Sequence, residues 1–185
     1  MTVSEKIADW TTRLQQSTRD FEQQFGNLDE TQLNWSPNAS VWSIGQNIDH
    51  LIKINASFFP ILEELDTGAI RLPFTAKIGF FNKFIGNFIL KSVQPANANK
   101  VKTFPVWTPV SSDISGKIVQ QFTDCQDELI EKIKRTETHL SKGAIIYSPA
   151  NRRMTYPLET AFEIITVHER RHLQQANTIL DLLPV

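Results

Sequence analysis

The strongest constraint on how this chain can fold is a helical rhythm in its apolar residues, repeated in four long stretches. Over Val3 to Phe25, the side chains of Ile7, Trp10, Leu14, Phe21 and Phe25 fall on one stripe set by three- and four-residue steps. That spacing puts them on a single side of an α-helix. Gly26 and Asn27 follow as C-terminal breakers. A second helix is predicted from Ser43, where Gln46 three residues later completes a capping box. Its core face is Ile44, Ile48, Leu51, Phe58 and Leu62, and Pro60 inside the pattern is expected to kink it without necessarily ending it.

A third helix is predicted over about residues 113–138, with Ile114, Ile118, Phe122, Cys125, Leu129 and Ile133 as its stripe and Ser111 or Ser112 as its cap. The fourth follows NRRMTYPLETAF, with Pro157 in its first turn and Thr155 or Tyr156 capping it. Strand signals are sparse: GAIIY is the best, and is too short to build a sheet. The expected architecture is all-α, a four-helix bundle with one long crossover between its second and third helices, in a single domain over 1–185.

That crossover, about residues 66–112, is too long for a passive connection in a small bundle. Either it covers the bundle's apolar end, or it forms a lid or substrate wall through Phe104 and Trp107. Its Phe-rich part, FTAKIGFFNKFIGNFILKSV, is interrupted by Lys77, Asn82, Lys83 and Asn87, so it is amphipathic and no membrane span. Docking of this part onto a membrane surface or a partner subunit is a third role open to it. A net charge of −1, from 19 basic and 20 acidic residues, supplies no field for nucleic acid, and a small-molecule substrate is expected instead. The lone Cys125 excludes an internal disulfide and, at helical spacing with Phe122 and Leu129, reads as a small core residue. The polar, amphipathic N-terminus has no apolar secretion signal, so a cytoplasmic protein is expected. A homodimer remains open.

The chemistry is concentrated in HERRH, residues 168–172, on the fourth helix. His168 and His172 fall near the centre of the stripe made by Leu158, Ala161, Ile165, Ile179 and Leu183, so both imidazoles are predicted to point inward. Burying two polar rings side by side costs several kcal/mol unless each finds a partner, and an i, i+4 pair can share one metal ion. Two core histidines bonded to backbone or carboxylate would be the other solution. A metalloprotease would need a third ligand downstream, but Gln175 and Thr178 stand where one such pattern requires Gly and His, and no aligning strand precedes the motif. A di-iron site would need a second E-x-x-H, whereas His50 is preceded by Asn47 and His139 by Thr136. The leading third ligand is His50, at the edge of the second helix's apolar face. Three imidazoles would leave a coordination position open to water or substrate. His139 reads as a surface or cap residue. Glu169, rotated about 100° from His168 toward the flank of the stripe, is read as support for a ligand or as solvated, with the weakest claim in the motif.

LNWSPNASVWSIGQNIDHL, with its tryptophan ahead of the helix and its histidine within it, followed much later by HERRHLQQ, resembles the DinB/YfiT-like metalloenzymes. The resemblance runs from the first helix to the last. It implies that His50, His168 and His172 form a divalent-metal triad, with zinc or nickel ahead of manganese or iron. It also implies an enzyme activating a low-molecular-weight thiol, as an S-transferase, or water, as a hydrolase. The alternative is a metal-binding stress-response bundle without turnover. The Phe-rich segment and TFPVWTPV depart from the family pattern where the substrate would sit, so no substrate carries over. Arg153 and Arg171 are candidate carboxylate holders for a thiol cofactor, though a solvated position suits either better.

Overall fold

The computed structural model describes residues 1–97, 103–109 and 113–184. Among them the chain is mostly helical, with seven α-helices: α1 (Val3–Phe25), α2 (Glu30–Asn34), α3 (Ile44–Asp66), α4 (Gly79–Ser92), α5 (Ile118–Lys134), α6 (Glu137–Ser141) and α7 (Leu158–Leu180). A two-stranded antiparallel sheet, β1 (Ile145–Ser148) and β2 (Asn151–Pro157), precedes α7. The four long helices α1, α3, α5 and α7 pack in a closed set of pairs: α1 and α3 each lie against both α5 and α7. No helix among the described residues is long and apolar enough to cross a membrane.

The local signals explain where α1 and α3 begin. Thr2 and Glu5 form a reciprocal capping box at α1, and Ser43 and Gln46 form the predicted one at α3. Each satisfies amide groups that have no partner inside the helix. α3 continues through Pro60 to Asp66, with the proline ring on the exposed side.

The third long helix is shorter than its stripe predicts. It starts at Ile118 on Lys117, without a side-chain cap, and Ser111 and Ser112 lie outside the described residues. Ile114 is buried as expected, but outside the helix. Asn34 clamps it, donating from Nδ2 to the Ile114 carbonyl at 2.8 Å and accepting the Ile114 N–H on Oδ1 at 2.9 Å. Asp113 just before it takes a left-handed φ of 61°. At the other end the chain turns after Arg135 into α6, where His139 meets Asp66 at 2.9 Å on the surface.

The expected caps of the last helix are strand residues. GAIIY does build a sheet, because MTYP, which reads as a lead-in to a helix, is its partner: Ile146 pairs with Tyr156 and Tyr147 with Thr155. The backbone is therefore extended up to Pro157, and α7 starts at Leu158, whose N–H bonds the Ala144 carbonyl. The Thr155 hydroxyl is spent on Asn82 of α4, at 2.6 Å.

α4 lies on β2 and α7 through Asn82 and Gly86, its two buried residues. A Cβ at Gly86 would stand 2.8 Å from Thr160 Cγ2 and 3.2 Å from Tyr156 Cβ. Overpacking of this kind costs about 1–3 kcal/mol. Gly86→Val is therefore expected to lower the urea midpoint of unfolding, an effect that a chemical denaturation curve would read directly.

Two apolar clusters fill the interior. One gathers Trp10 and Leu14 of α1, Phe58 and Leu62 of α3, Leu129 and Ile133 of α5, and Phe162 and Ile165 of α7. The other gathers Phe21 and Phe25, Ile48 and Leu51, Ile118 and Phe122, and Ala176 and Ile179 from the same four helices. Between them along the chain, each helix carries buried polar groups: Thr18, Asn55, Gln126, and Glu169 with His172.

Candidate metal centre

His50 lies in the second turn of α3, and His168 and His172 one turn apart on α7, a helix that packs against α3. The structure brings all three together: one ring nitrogen from each lies within 4.8 Å of those of the others, an arrangement that could hold a metal ion. His168 Nε2 and His172 Nε2 are 3.1 Å apart. Two nitrogens each about 2.1 Å from one ion have about that separation.

The outer nitrogens fix the tautomers. His50 Nδ1 is 2.7 Å from the Trp107 carbonyl oxygen, which can only accept, so Nδ1 carries the proton and Nε2 presents a lone pair. His172 Nδ1 is 2.7 Å from Asn47 Oδ1. The Asn47 amide is oriented by its own Nδ2, which donates to the Ser43 carbonyl at 2.8 Å. His172 is therefore also protonated on Nδ1, with its Nε2 lone pair toward His168. Something positive, a proton on His168 or a cation shared by the rings, has to lie between those two nitrogens.

Burial pushes all three imidazoles below their ordinary 6.5. For His168 it does so to about 3, with help from His50 and Arg171. His172 falls well below 6.5 through burial and the charges of His168, His50 and Arg171. Three neutral imidazoles are what a metal requires of its ligands, since a protonated ring has no lone pair to offer. The residues present thus fit a divalent ion by spacing and charge state, and His50 and His172 by tautomer as well.

Trp42 closes one side of the cluster. Its ring centroid is 4.8 Å from that of His50 and 5.9 Å from that of His172, nearly parallel to the latter. Trp107 closes another, where its Nε1 donates to Ser57 Oγ at 3.2 Å while its carbonyl holds His50. The long crossover therefore reaches the centre and supplies part of it.

Glu169 is fully buried, contrary to the solvated reading. Asn55 Nδ2 donates to Glu169 Oε1 and Gln126 Nε2 to Oε2, both at 2.8 Å, so this carboxyl ties α7 to α3 and α5 beside the histidines. Burial pushes its pKa up to about 7, against the pull of those amide donors. Other candidates lie elsewhere. Arg153 is exposed. Arg171 donates from Nη1 to the carbonyls of Gln94 and Asn97, fastening the stretch of the crossover just after α4 to α7. Cys125 is half-buried, its thiol pushed up to about 12 by burial and by Glu169 and Glu128, which makes it a poor nucleophile.

A family model for the DinB superfamily matches residues 13–176, a span that contains Trp42, Asn47, Trp107, Glu169 and all three histidines. The chain belongs to the DinB superfamily. No curated protein and no solved structure matches it. In this DinB protein, Asn47 and the Trp107 carbonyl are the site groups that the sequence did not single out for their roles. Asn47 had a visible signal, one helical turn before His50, yet its partner is on another helix. Groups that orient a metal-binding imidazole typically contribute 10–100-fold in metal affinity. Asn47→Ala is expected to weaken divalent-metal binding by about that factor with helix content unchanged, as measured by chelator competition and circular dichroism.

Proposed function

We propose that this DinB protein is a single-domain four-helix bundle that holds one divalent metal through His50, His168 and His172. On that centre we further propose an enzyme acting on a small electrophilic substrate with a low-molecular-weight thiol, or with water, as nucleophile. The observation carrying this reading is that His50 and His172 are locked with Nδ1 protonated and Nε2 facing the cluster.

Bound there, a divalent ion would lower the pKa of a thiol or water ligand and leave a strong nucleophile at neutral pH. The protein's own groups have defined tasks. The Trp107 carbonyl and Asn47 hold two rings in the binding tautomer, and Trp42 keeps water off their faces. Glu169, bonded to Asn55 and Gln126, fixes the rotation of α7 and hence the direction in which His168 and His172 point. Imidazole donors suit zinc, nickel and iron, whereas manganese favours oxygen ligands and is the less suited of the four.

The test is to load the purified protein with each metal in turn and offer bacterial thiols together with a chloro-dinitro aromatic or an epoxide. Conjugate formation that disappears in His50→Ala supports the enzyme. Full metal occupancy without turnover across a broad thiol panel, and without hydrolysis of the same electrophiles, supports the alternative of a metal-binding bundle without catalysis.

A further inference from the structure

α4 is turned with its small and polar residues inward and its aromatic residues outward. Asn82 and Gly86 are buried against β2 and α7, while Phe80, Phe84 and Phe88 are exposed, at 81%, 58% and 65%. At about 100° per residue these three phenylalanines fall within about 80° of one another, opposite the buried pair. Just before the helix, Phe74 and Ile78 are exposed as well. The Phe80 and Phe84 rings face each other nearly parallel, with centroids 6.5 Å apart. Exposed apolar residues scattered singly are ordinary on a protein surface, but a continuous aromatic ridge marks a contact surface.

The charge pattern says what kind of surface it meets. Between residues 67 and 112 the charged side chains are Arg71, Lys77, Lys83, Lys91, Lys100 and Lys102, all basic, and the chain's 20 acidic residues all lie elsewhere. The described lysines flank the ridge: Lys77 at its start, with Nζ 5.8 Å from the Phe74 ring centroid, Lys83 along its side and Lys91 at its end. A chain of net charge −1 thus places only basic charges along the segment that carries its most exposed aromatic residues. A helix with an apolar face and flanking lysines lies in the plane of a lipid surface, its aromatic side at the boundary between headgroups and acyl chains. Anionic headgroups attract the lysines, each contributing independently of sequence.

A second copy of the chain is a poorer occupant. Two such ridges meeting about a two-fold axis would set lysines of one copy near lysines of the other, and this segment has no carboxylate to separate them.

We propose that α4 and the turn before it attach the protein peripherally to an anionic lipid surface, with Phe80, Phe84 and Phe88 inserted and Lys77, Lys83 and Lys91 at the headgroups. Attachment is independent of the metal reading, because these side chains lie on the opposite side of α4 from its contacts with the body. The crossover carrying the ridge is fastened to α7 by Arg171, on the helix bearing His168 and His172, so a docked protein would hold its histidine cluster at a fixed orientation to the membrane.

The experiment is co-sedimentation of the full chain with vesicles of phosphatidylcholine mixed with phosphatidylglycerol, and with vesicles of phosphatidylcholine alone. Binding to the mixed vesicles that falls as salt rises is expected. The combined variant Phe80→Ser, Phe84→Ser, Phe88→Ser should lose at least about tenfold in partition, given the apolar area withdrawn. The combined variant Lys77→Glu, Lys83→Glu, Lys91→Glu should lose roughly a hundredfold or more. Both variants alter exposed residues and should keep the wild-type circular dichroism spectrum. Absence of binding to the mixed vesicles overturns the proposal, as does undiminished binding by the serine or the glutamate variant. So does a dimer of the vesicle-free protein, seen by sedimentation velocity, that the serine variant dissociates, since a second copy would then be the occupant.

Discussion

His172→Ala is expected to abolish stoichiometric binding of a divalent metal while leaving the helical circular dichroism spectrum intact. Of the three histidines it is central: its Nε2 is 3.1 Å from that of His168, and its ring centroid is 4.7 Å from that of His50. Its loss leaves two ligands on different helices and frees Asn47 from its orienting role. His168→Ala should have the same effect, and His50→Ala should weaken binding strongly, because the Trp107 carbonyl has already committed that ring to a binding tautomer. Equilibrium dialysis with zinc or nickel reads all three. In the metal-free protein His172→Ala removes two buried polar nitrogens and leaves both Asn47 Oδ1 and His168 Nε2 without the partner His172 gave them, so a urea titration should show a stability loss distinct from the loss of affinity.

Glu169→Ala is expected to lower stability strongly, on the order of 3 kcal/mol or more. It removes the acceptor of Gln126 Nε2 and one of the two acceptors of Asn55 Nδ2, which keeps Gln126 Oε1 at 3.2 Å, and an unsatisfied buried group costs about 1–3 kcal/mol. A cavity adds to that cost. Glu169→Gln keeps the shape and one acceptor oxygen and should lose less. Urea titration of the two variants separates network loss from cavity formation.

The buried titrating groups set opposite pH trends in the metal-free protein. Each imidazole is below its ordinary 6.5 in the folded state, so its contribution is present above that pH and is lost as pH falls, toward about 3 for His168. Glu169 is raised from 4.5 to about 7, so its contribution is complete below 4.5 and is lost as pH rises through 7. In the interval where both act, three imidazoles oppose one carboxyl. The urea midpoint of the metal-free protein is therefore expected to fall between pH 6.5 and pH 5, and added metal should raise it by mass action.

Much of this was legible in the sequence where the determinants are local. The α1 stripe and both ends of that helix, and the Ser43–Gln46 capping box of α3, depend on neighbours within a turn or two. The inward direction of His168 and His172 could be anticipated from helical phase, with His50 as the leading third candidate at the edge of its helix's apolar face, and the full triad was implied by the family resemblance. What stayed hidden depends on distant partners. MTYP reads as a helix lead-in until Ile146 and Tyr147 pair with Tyr156 and Thr155. Ile114 keeps its helical spacing but is held by Asn34, 80 residues away. Glu169 looks solvated from its angle on α7 alone, and is buried because α3 and α5 each offer it an amide. Asn47 and the Trp107 carbonyl set tautomers across helices, which no periodicity in one segment can show.

The most direct test of a three-histidine centre is X-ray absorption on the protein loaded with one equivalent of zinc or nickel, compared with His50→Ala. Three imidazole nitrogens at about 2.0–2.1 Å in the wild type, falling to two in the variant together with a large loss of affinity, is the expected result. Full affinity and an unchanged imidazole count in His50→Ala would contradict it.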